Sequence, residues 1–127
     1  MAPEFLNASS APKPIGPYSH AAKAGGFVFC SGQVGLVPET GEMIEGGVSE
    51  QTDRALANLG EVLKAAGADF GSVVKTTVFL ADMDDFPAMN QVYEKYLGQT
   101  RPARSSVAVK TLPKEALVEI EAIAEIV

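Results

Sequence analysis

The chain is poor in several groups on which common chemistries depend. Of its 127 residues only one is cysteine and one histidine. A single cysteine, Cys30, excludes an internal disulfide and a cysteine-based zinc site. It sits within Phe27-Val-Phe-Cys-Ser31 and reads as a small buried strand residue. The histidine, His20, has no obvious partners in the sequence. Charged residues make up 20% of the chain, below the usual quarter, while 46% is apolar, ample for a core and compatible with surface hidden in an oligomer. Positive charge is the scarcer sign. Ten Lys and Arg face sixteen Asp and Glu, for a net charge of −6. The basic residues are scattered, so the footprint of a general polyanion binder is missing and nucleic acid is not an expected partner. A local positive pocket around Arg104 remains compatible with this balance. No run of eighteen apolar residues exists to cross a membrane. There is no secretory signal pattern, no Gly-x-Ser-x-Gly elbow, no internal repeat and no low-complexity stretch. Together these features lead us to expect an intracellular, reducing compartment, taken as the cytoplasm.

The length fits one domain. Residues 1–13 are small, polar and Pro-containing, and read as a loose N-terminal tail; fold reasoning starts near Pro14, with 14–127 as a single domain. Tyr18 to Ala24 and Phe27 to Ser31 read as strands joined by a tight turn at Gly25-Gly26. Pro38-Glu-Thr-Gly41 reads as a turn between short extended pieces. Residues 49–66 predict a helix: Thr52, Ala55, Leu56, Leu59, Val62 and Leu63 form one stripe of 3.6-residue period. Glu50, Asp53, Arg54, Asn58, Glu61 and Lys64 fall on its other side. Ser49 is its expected N-cap and Gly67 its stop. Val73 to Leu80 is a strand rich in Val, Thr and Phe. Residues 86–97 predict a second helix, with Asp84 and Asp85 at its positive end, Pro87 in its first turn, and Gly98 ending it. Phe86, Met89, Val92, Tyr93, Tyr96 and Leu97 supply its apolar stripe.

Two further runs complete the pattern ββ(β)αβαββ. Arg101 to Val109 is β-branched after its arginines, and Leu117 to Ala124 alternates carboxylates with apolar residues. Positions two apart on a strand share a face. Arg104 and Ser106 therefore point one way. Glu119 and Glu121 share a face opposite Val118, Ile120, Ala122 and Ala124. The short Leu112-Pro113-Lys114 loop predicts that these runs are antiparallel neighbours, so that an arginine, a hydroxyl and a carboxylate meet at one sheet edge. Such a group could bind a small carboxylate and move a proton. Two helices cover only one face of a five- or six-stranded sheet. The other is expected to carry Glu119, Glu121, Arg104 and threonines mixed with Ala and Val, as at a subunit interface with polar sites.

Read from the residues alone, Arg104 is either a planar fork for a ligand carboxylate or the partner of Glu119 or Glu121. Glu119 and Glu121 are either proton-transfer groups or an interface pair. Tyr18, fixed by Gly16-Pro17, is a substrate-facing phenol or an aromatic plug. Ser31-Gly32 is a place where a ligand approaches the backbone closely or a strand end.

The segments Ile15-Gly-Pro-Tyr18, Cys30-Ser-Gly-Gln-Val34, Val74-Lys-Thr-Thr-Val-Phe79, Pro102-Ala-Arg-Ser105 and Val118-Glu-Ile-Glu-Ala122 resemble, in order, motifs of the RidA family, also called YjgF or L-PSP. The resemblance runs from about Ala11 to Ala124. It implies a chorismate-mutase-like α+β fold, with a mixed sheet, two helices on one face, and a homotrimer with a barrel-like centre and ligand clefts between subunits. It implies an enamine/imine deaminase, acting on 2-aminoacrylate and 2-iminoalkanoates released by pyridoxal-phosphate enzymes. By motif position it makes Arg104, Glu119 and Tyr18 catalytic, and Ser31, Gly32, Asn90 and Ser106 substrate-binding. Glu121 would then be structural, at the subunit contact. Many family members carry cysteine where this chain has Ser106; a hydroxyl still holds water but is far less nucleophilic than a thiol. Because these imines hydrolyse unaided, no metal or organic cofactor is needed, and the sequence offers no convincing site for one. Two other functions are kept open: a 2-oxo acid-binding regulatory trimer without turnover, and an endoribonuclease or translation inhibitor, against which the acidic charge counts.

Overall fold

The computed structural model describes residues 2–127. Its strands are β1 (Glu4–Leu6), β2 (Ala21–Ala24), β3 (Phe27–Gln33), β4 (Val73–Leu80), β5 (Ala103–Ala108) and β6 (Val118–Glu125), with helices α1 (Val48–Ala65) and α2 (Phe86–Leu97). All six strands form one sheet in the order β1-β2-β3-β6-β4-β5. Every pair is antiparallel except β4–β5. That parallel pair needs a crossover, which α2 supplies. The result is an α+β fold on a mixed sheet.

The helix-facing side of the sheet is the core. Val28, Val78, Leu80, Val118, Ile120 and Ala124 are fully buried there beneath Leu56, Leu59, Val62 and Leu63 of α1 and Met89 and Leu97 of α2. The stripe expected for α1 is the one that packs. Its first cap is not Ser49 but Gly47, whose amide donates to the Glu50 carboxylate at 2.8 Å. A carboxylate in the first turn satisfies an amide that has no helical partner, so the helix gains a residue at this end. At the other end Gly67 takes the left-handed conformation expected of a helix stop, with φ 84°. Asn58, assigned from the pattern to the polar side of α1, is fully buried. Its amide donates to the carbonyls of Val34 (3.1 Å) and Leu36 (2.9 Å), and so ties down the loop after β3.

Residues 4–11, placed by the sequence pattern in a loose tail, instead carry β1 and two buried alanines, Ala8 and Ala11. The reason is His20, which has partners the sequence concealed. Its ring is buried. Nδ1 accepts the Ala8 amide at 2.9 Å, Nε2 donates to the Pro12 carbonyl at 2.7 Å, and its own amide donates to Asn7 Oδ1 at 2.8 Å. The strand expected from Tyr18 begins only at Ala21.

The largest departure concerns the last two strands. They are not neighbours, because β4 lies between them. The crossover through α2 lays β5 along the outer edge of β4, and the following loop carries the chain past the end of β4 to its other edge. Both connections anchor to that end: the Val109 amide donates to the Leu80 carbonyl, and the Ala81 amide to the Leu117 carbonyl. The register then decides the faces. Arg104 aligns with Thr76 and Ala122, and Ser106 with Val78 and Ile120, all on the helix side. Glu119 aligns with Phe79 and Val107, and Glu121 with Thr77 and Ser105, on the open side. Arg104 is therefore not on the open face with the two glutamates, as expected, and the three groups do not meet at one edge of one sheet.

Candidate active site

The predicted residues form two groups. The first is built on α2 and β5. Phe86, Asn90 and Tyr93 follow one another at intervals of four and three on α2, hence on one face. Arg104, half-buried on the edge strand, lies against that face. Its Nη1 donates to Asn90 Oδ1 at 2.7 Å, and the guanidinium carbon lies 4.7 Å from the Tyr93 ring centroid and 5.3 Å from that of Phe86. Aromatic faces attract the cation without consuming its hydrogen-bond donors. Tyr93 is itself fixed, its hydroxyl paired with buried Thr76 Oγ1 at 2.7 Å. The fork is thus oriented by Asn90 and two rings, with donors left for a ligand. Two residues along the strand, the Ser106 hydroxyl oxygen is buried without a hydrogen-bond partner among the described residues. Such a group is rare unless something polar binds there. An open cleft of about 410 Å³ borders Arg104 and Asn90.

The second group is built on β3, β6 and the segment before β2. Between Cys30, paired with Ala122, and Gln33, paired with Ile120, the register slips, so Ser31 and Gly32 together oppose Glu121. This is a β-bulge, a device that re-aims backbone and side chains. Ser31 is tied to the preceding segment twice: its amide donates to the His20 carbonyl at 2.9 Å and its hydroxyl to the Ser19 carbonyl at 2.7 Å. Gly32 is needed for space. A Cβ there would stand 2.8 Å from Glu119 Cδ and 2.9 Å from Oε2, so the glycine seats the carboxylate on bare backbone. Tyr18, Gly32 and Glu119 line one small cavity of about 50 Å³, closed by Ile15, Leu36 and Pro113. Tyr18 is 47% exposed, its hydroxyl accepting the Ile15 amide at 3.4 Å. Burial, and then the neighbouring Glu121, push the Glu119 carboxyl above the ordinary carboxylate range. That is the direction a proton-transfer group needs near neutrality.

Asn90 and Arg104 are thus brought together, with Ser106 on the same strand face. Tyr18, Gly32 and Glu119 are brought together, with Ser31 at the bulge. The two groups lie on opposite faces of the sheet. Sequence reading missed Phe86 and Tyr93, which went to the helix core although their spacing with Asn90 was a usable signal. It also missed His20, for which the sequence carried none. The Cys30 thiol is buried and pushed up to about 12, an inert strand residue as expected. Among the described residues no group of three His, Cys, Asp or Glu is placed to hold a metal, and no helix is long and apolar enough to cross a membrane.

Fold and site together define the class: an α+β protein on one mixed sheet, with an arginine-centred cleft and a carboxylate-centred cavity on opposite faces. The chain belongs to the Rid/YjgF family, whose model, described as endoribonuclease L-PSP, matches residues 8–126. It is 51% identical to a RutC family protein of Pyrococcus abyssi, covering 98% of each chain. It is also 51% identical to the 2-iminobutanoate/2-iminopropanoate deaminase of Mus musculus, over 95% of this chain and 90% of that one. The solved structure of RidA from an Antarctic Psychrobacter superposes with a TM-score of 0.92 at 40% identity, covering 97% of this chain and 99% of the other.

Proposed function

We propose that the protein is an enamine and imine deaminase, converting 2-aminoacrylate, 2-iminopropanoate and 2-iminobutanoate to 2-oxo acids and ammonia, at sites completed between the copies of a homotrimer. The observation that carries this reading is the division of the site residues. Arg104 and Asn90 stand on one face of the sheet, Tyr18, Gly32 and Glu119 on the other, and neither group alone combines a carboxylate clamp with a proton-transfer group. Contact between copies would bring one of each together. The open face supports such contact: Phe27, Phe29 and Val107 are 38%, 45% and 45% exposed there, an apolar patch that favours a partner. The name of the mouse relative supports the chemistry.

In the reaction, water adds to the imine carbon, the carbon–nitrogen bond breaks, and nitrogen leaves as ammonia while the carbon becomes a ketone. Arg104, held by Asn90, Tyr93 and Phe86, takes the substrate carboxylate through parallel N–H donors. Glu119 relays both protons of the attacking water to the nitrogen, one as the water adds and one as the carbon–nitrogen bond breaks, a role its raised affinity for protons favours. The Tyr18 hydroxyl assists that transfer. The Ser31 hydroxyl donates to Ser19, so it offers lone pairs to the substrate, and the bare backbone at Gly32 permits close approach. Ser106, with its partnerless hydroxyl, orients water; a hydroxyl at this position supplies no thiolate, so the chemistry proceeds by water addition. An enamine substrate first takes a proton on its terminal carbon and gives one up from nitrogen, becoming the imine. The nuclease in the family's description has less support here, because a chain of net charge −6 lacks the basic footprint of RNA binding.

The test is imine decay in a coupled assay, with Arg104→Ala as control and light scattering as the check on assembly. The expected result is acceleration by the wild type and an acceleration lower by about one to two orders of magnitude for an intact Arg104→Ala oligomer. Full activity in Arg104→Ala would remove the clamp. Saturable 2-oxo acid binding without turnover would make the protein a ligand-binding regulator instead.

A further inference from the structure

The cleft at Arg104 is larger than one carboxylate requires. It extends from Asn90 and Arg104 along the C-terminal end of α2 to Arg101. Arg101 is set there by an unusual backbone. Its φ is 52°, a conformation L side chains rarely adopt, fixed by its amide donating to the Leu97 carbonyl at 2.9 Å. Its Nε donates to the Gly98 carbonyl at 3.2 Å, which anchors the guanidinium. The two terminal amino groups make no hydrogen bond to any described residue. A single carboxylate, Glu94, shares the lining, so two arginines face one acid in a chain whose net charge is −6. Part of Arg101's role is local, since a cation suits a helix C-terminus. That role does not require its free donors to border the same cleft as Arg104.

We propose that Arg101 makes this cleft a dicarboxylate subsite. Arg104 takes the carboxylate beside the imine or oxo carbon, and Arg101 takes the second carboxylate at the far end of a 2-oxo or 2-imino diacid. The inference rests on the Arg104 clamp of the proposed function and adds a substrate class to it. The spacing allows it. Three residues of extended chain separate the two Cα atoms by at most about 11 Å, within which two arginine side chains converge on a diacid of glutarate size. The free fork of Arg101 matches a carboxylate in geometry as well as charge.

The experiment is calorimetric binding of 2-oxobutanoate and 2-oxoglutarate to the intact oligomer, two probes that differ chiefly in the second carboxylate. The wild type is expected to bind 2-oxoglutarate about fivefold more tightly, as for an exposed ion pair, with the advantage shrinking as salt rises. Arg101→Gln should abolish the advantage and leave 2-oxobutanoate binding unchanged; Arg101→Lys should retain part of it. Equal wild-type affinities, or an advantage that survives in Arg101→Gln, overturn the subsite. Arg104→Ala separates the two readings. If it weakens both probes while Arg101→Gln alters neither, the clamp stands and the subsite falls. If it weakens neither, the clamp fails and the subsite with it.

Discussion

Arg104→Ala and Glu119→Gln should rescue one another when the two chains are assembled together. In a single copy these residues are separated by the sheet itself, since β4 lies between their strands and the register places them on opposite faces. If a working site takes its arginine from one copy and its glutamate from the next, each variant alone spoils every site. Removing Arg104 deletes charge-assisted hydrogen bonds worth about 1.5–3 kcal/mol, roughly one to two orders of magnitude in kcat/KM. Removing the Glu119 carboxylate deletes an acid–base contribution on the order of 100-fold or more. Random co-assembly of equal amounts gives each site a native arginine in about half of cases and a native glutamate, independently, in about half. About a quarter of sites then carry both, so activity should return to about a quarter of the wild-type value in a symmetric head-to-tail ring. The assay is imine decay after the variants are unfolded, mixed and refolded together, against each refolded alone. Native mass spectrometry would confirm mixed oligomers. Mixed oligomers no more active than the separate variants would place both residues in one chain's site and refute the composite reading.

Two further outcomes test the surroundings of the site. Burial and Glu121 raise the proton affinity of Glu119 in the folded chain. Between the ordinary carboxylate value and the raised one, the folded state holds a proton that the unfolded state has released, so stability falls as pH rises through that window. Glu119→Gln should therefore melt higher than wild type at neutral pH, with the difference vanishing below the ordinary carboxylate range. Identical melting curves at both pH values would contradict the desolvated carboxyl. His20→Ala should cost about 2–4 kcal/mol, because it leaves the Ala8 amide and the Pro12 carbonyl without their partners. Limited proteolysis should then cut within residues 4–13 faster than in wild type; unchanged resistance would show that other contacts hold this segment.

Much of the fold was legible from pattern. The bounds of β4 and α2 match the expected residues, because an eight-residue β-branched run and an amphipathic helix started by Pro87 and stopped by Gly98 leave little latitude. The face assignments within β6 also follow from alternation, which the pleat imposes. What failed was long-range. A short loop between two strand-like runs favours a hairpin, yet the chain passed over the end of β4 instead. The N-terminal strand is only three residues long, and its anchor is a histidine thirteen residues beyond the asparagine it holds. Asn58 was misplaced because a helix wheel records polarity, not the carbonyls that await a donor inside.

By itself the sequence determined the elements, the opposition of Glu119 and Glu121 to the apolar side of their strand, and the residue types suited to a small carboxylate substrate. Local sterics and periodicity act within a few residues and are written in the chain. Only the tertiary structure decided that β4 separates β5 from β6, that Arg104 leans on Asn90, Tyr93 and Phe86, and that Gly32 makes room for Glu119. Those outcomes depend on which strand edges are free when each segment docks. That property belongs to the whole sheet and to no segment alone.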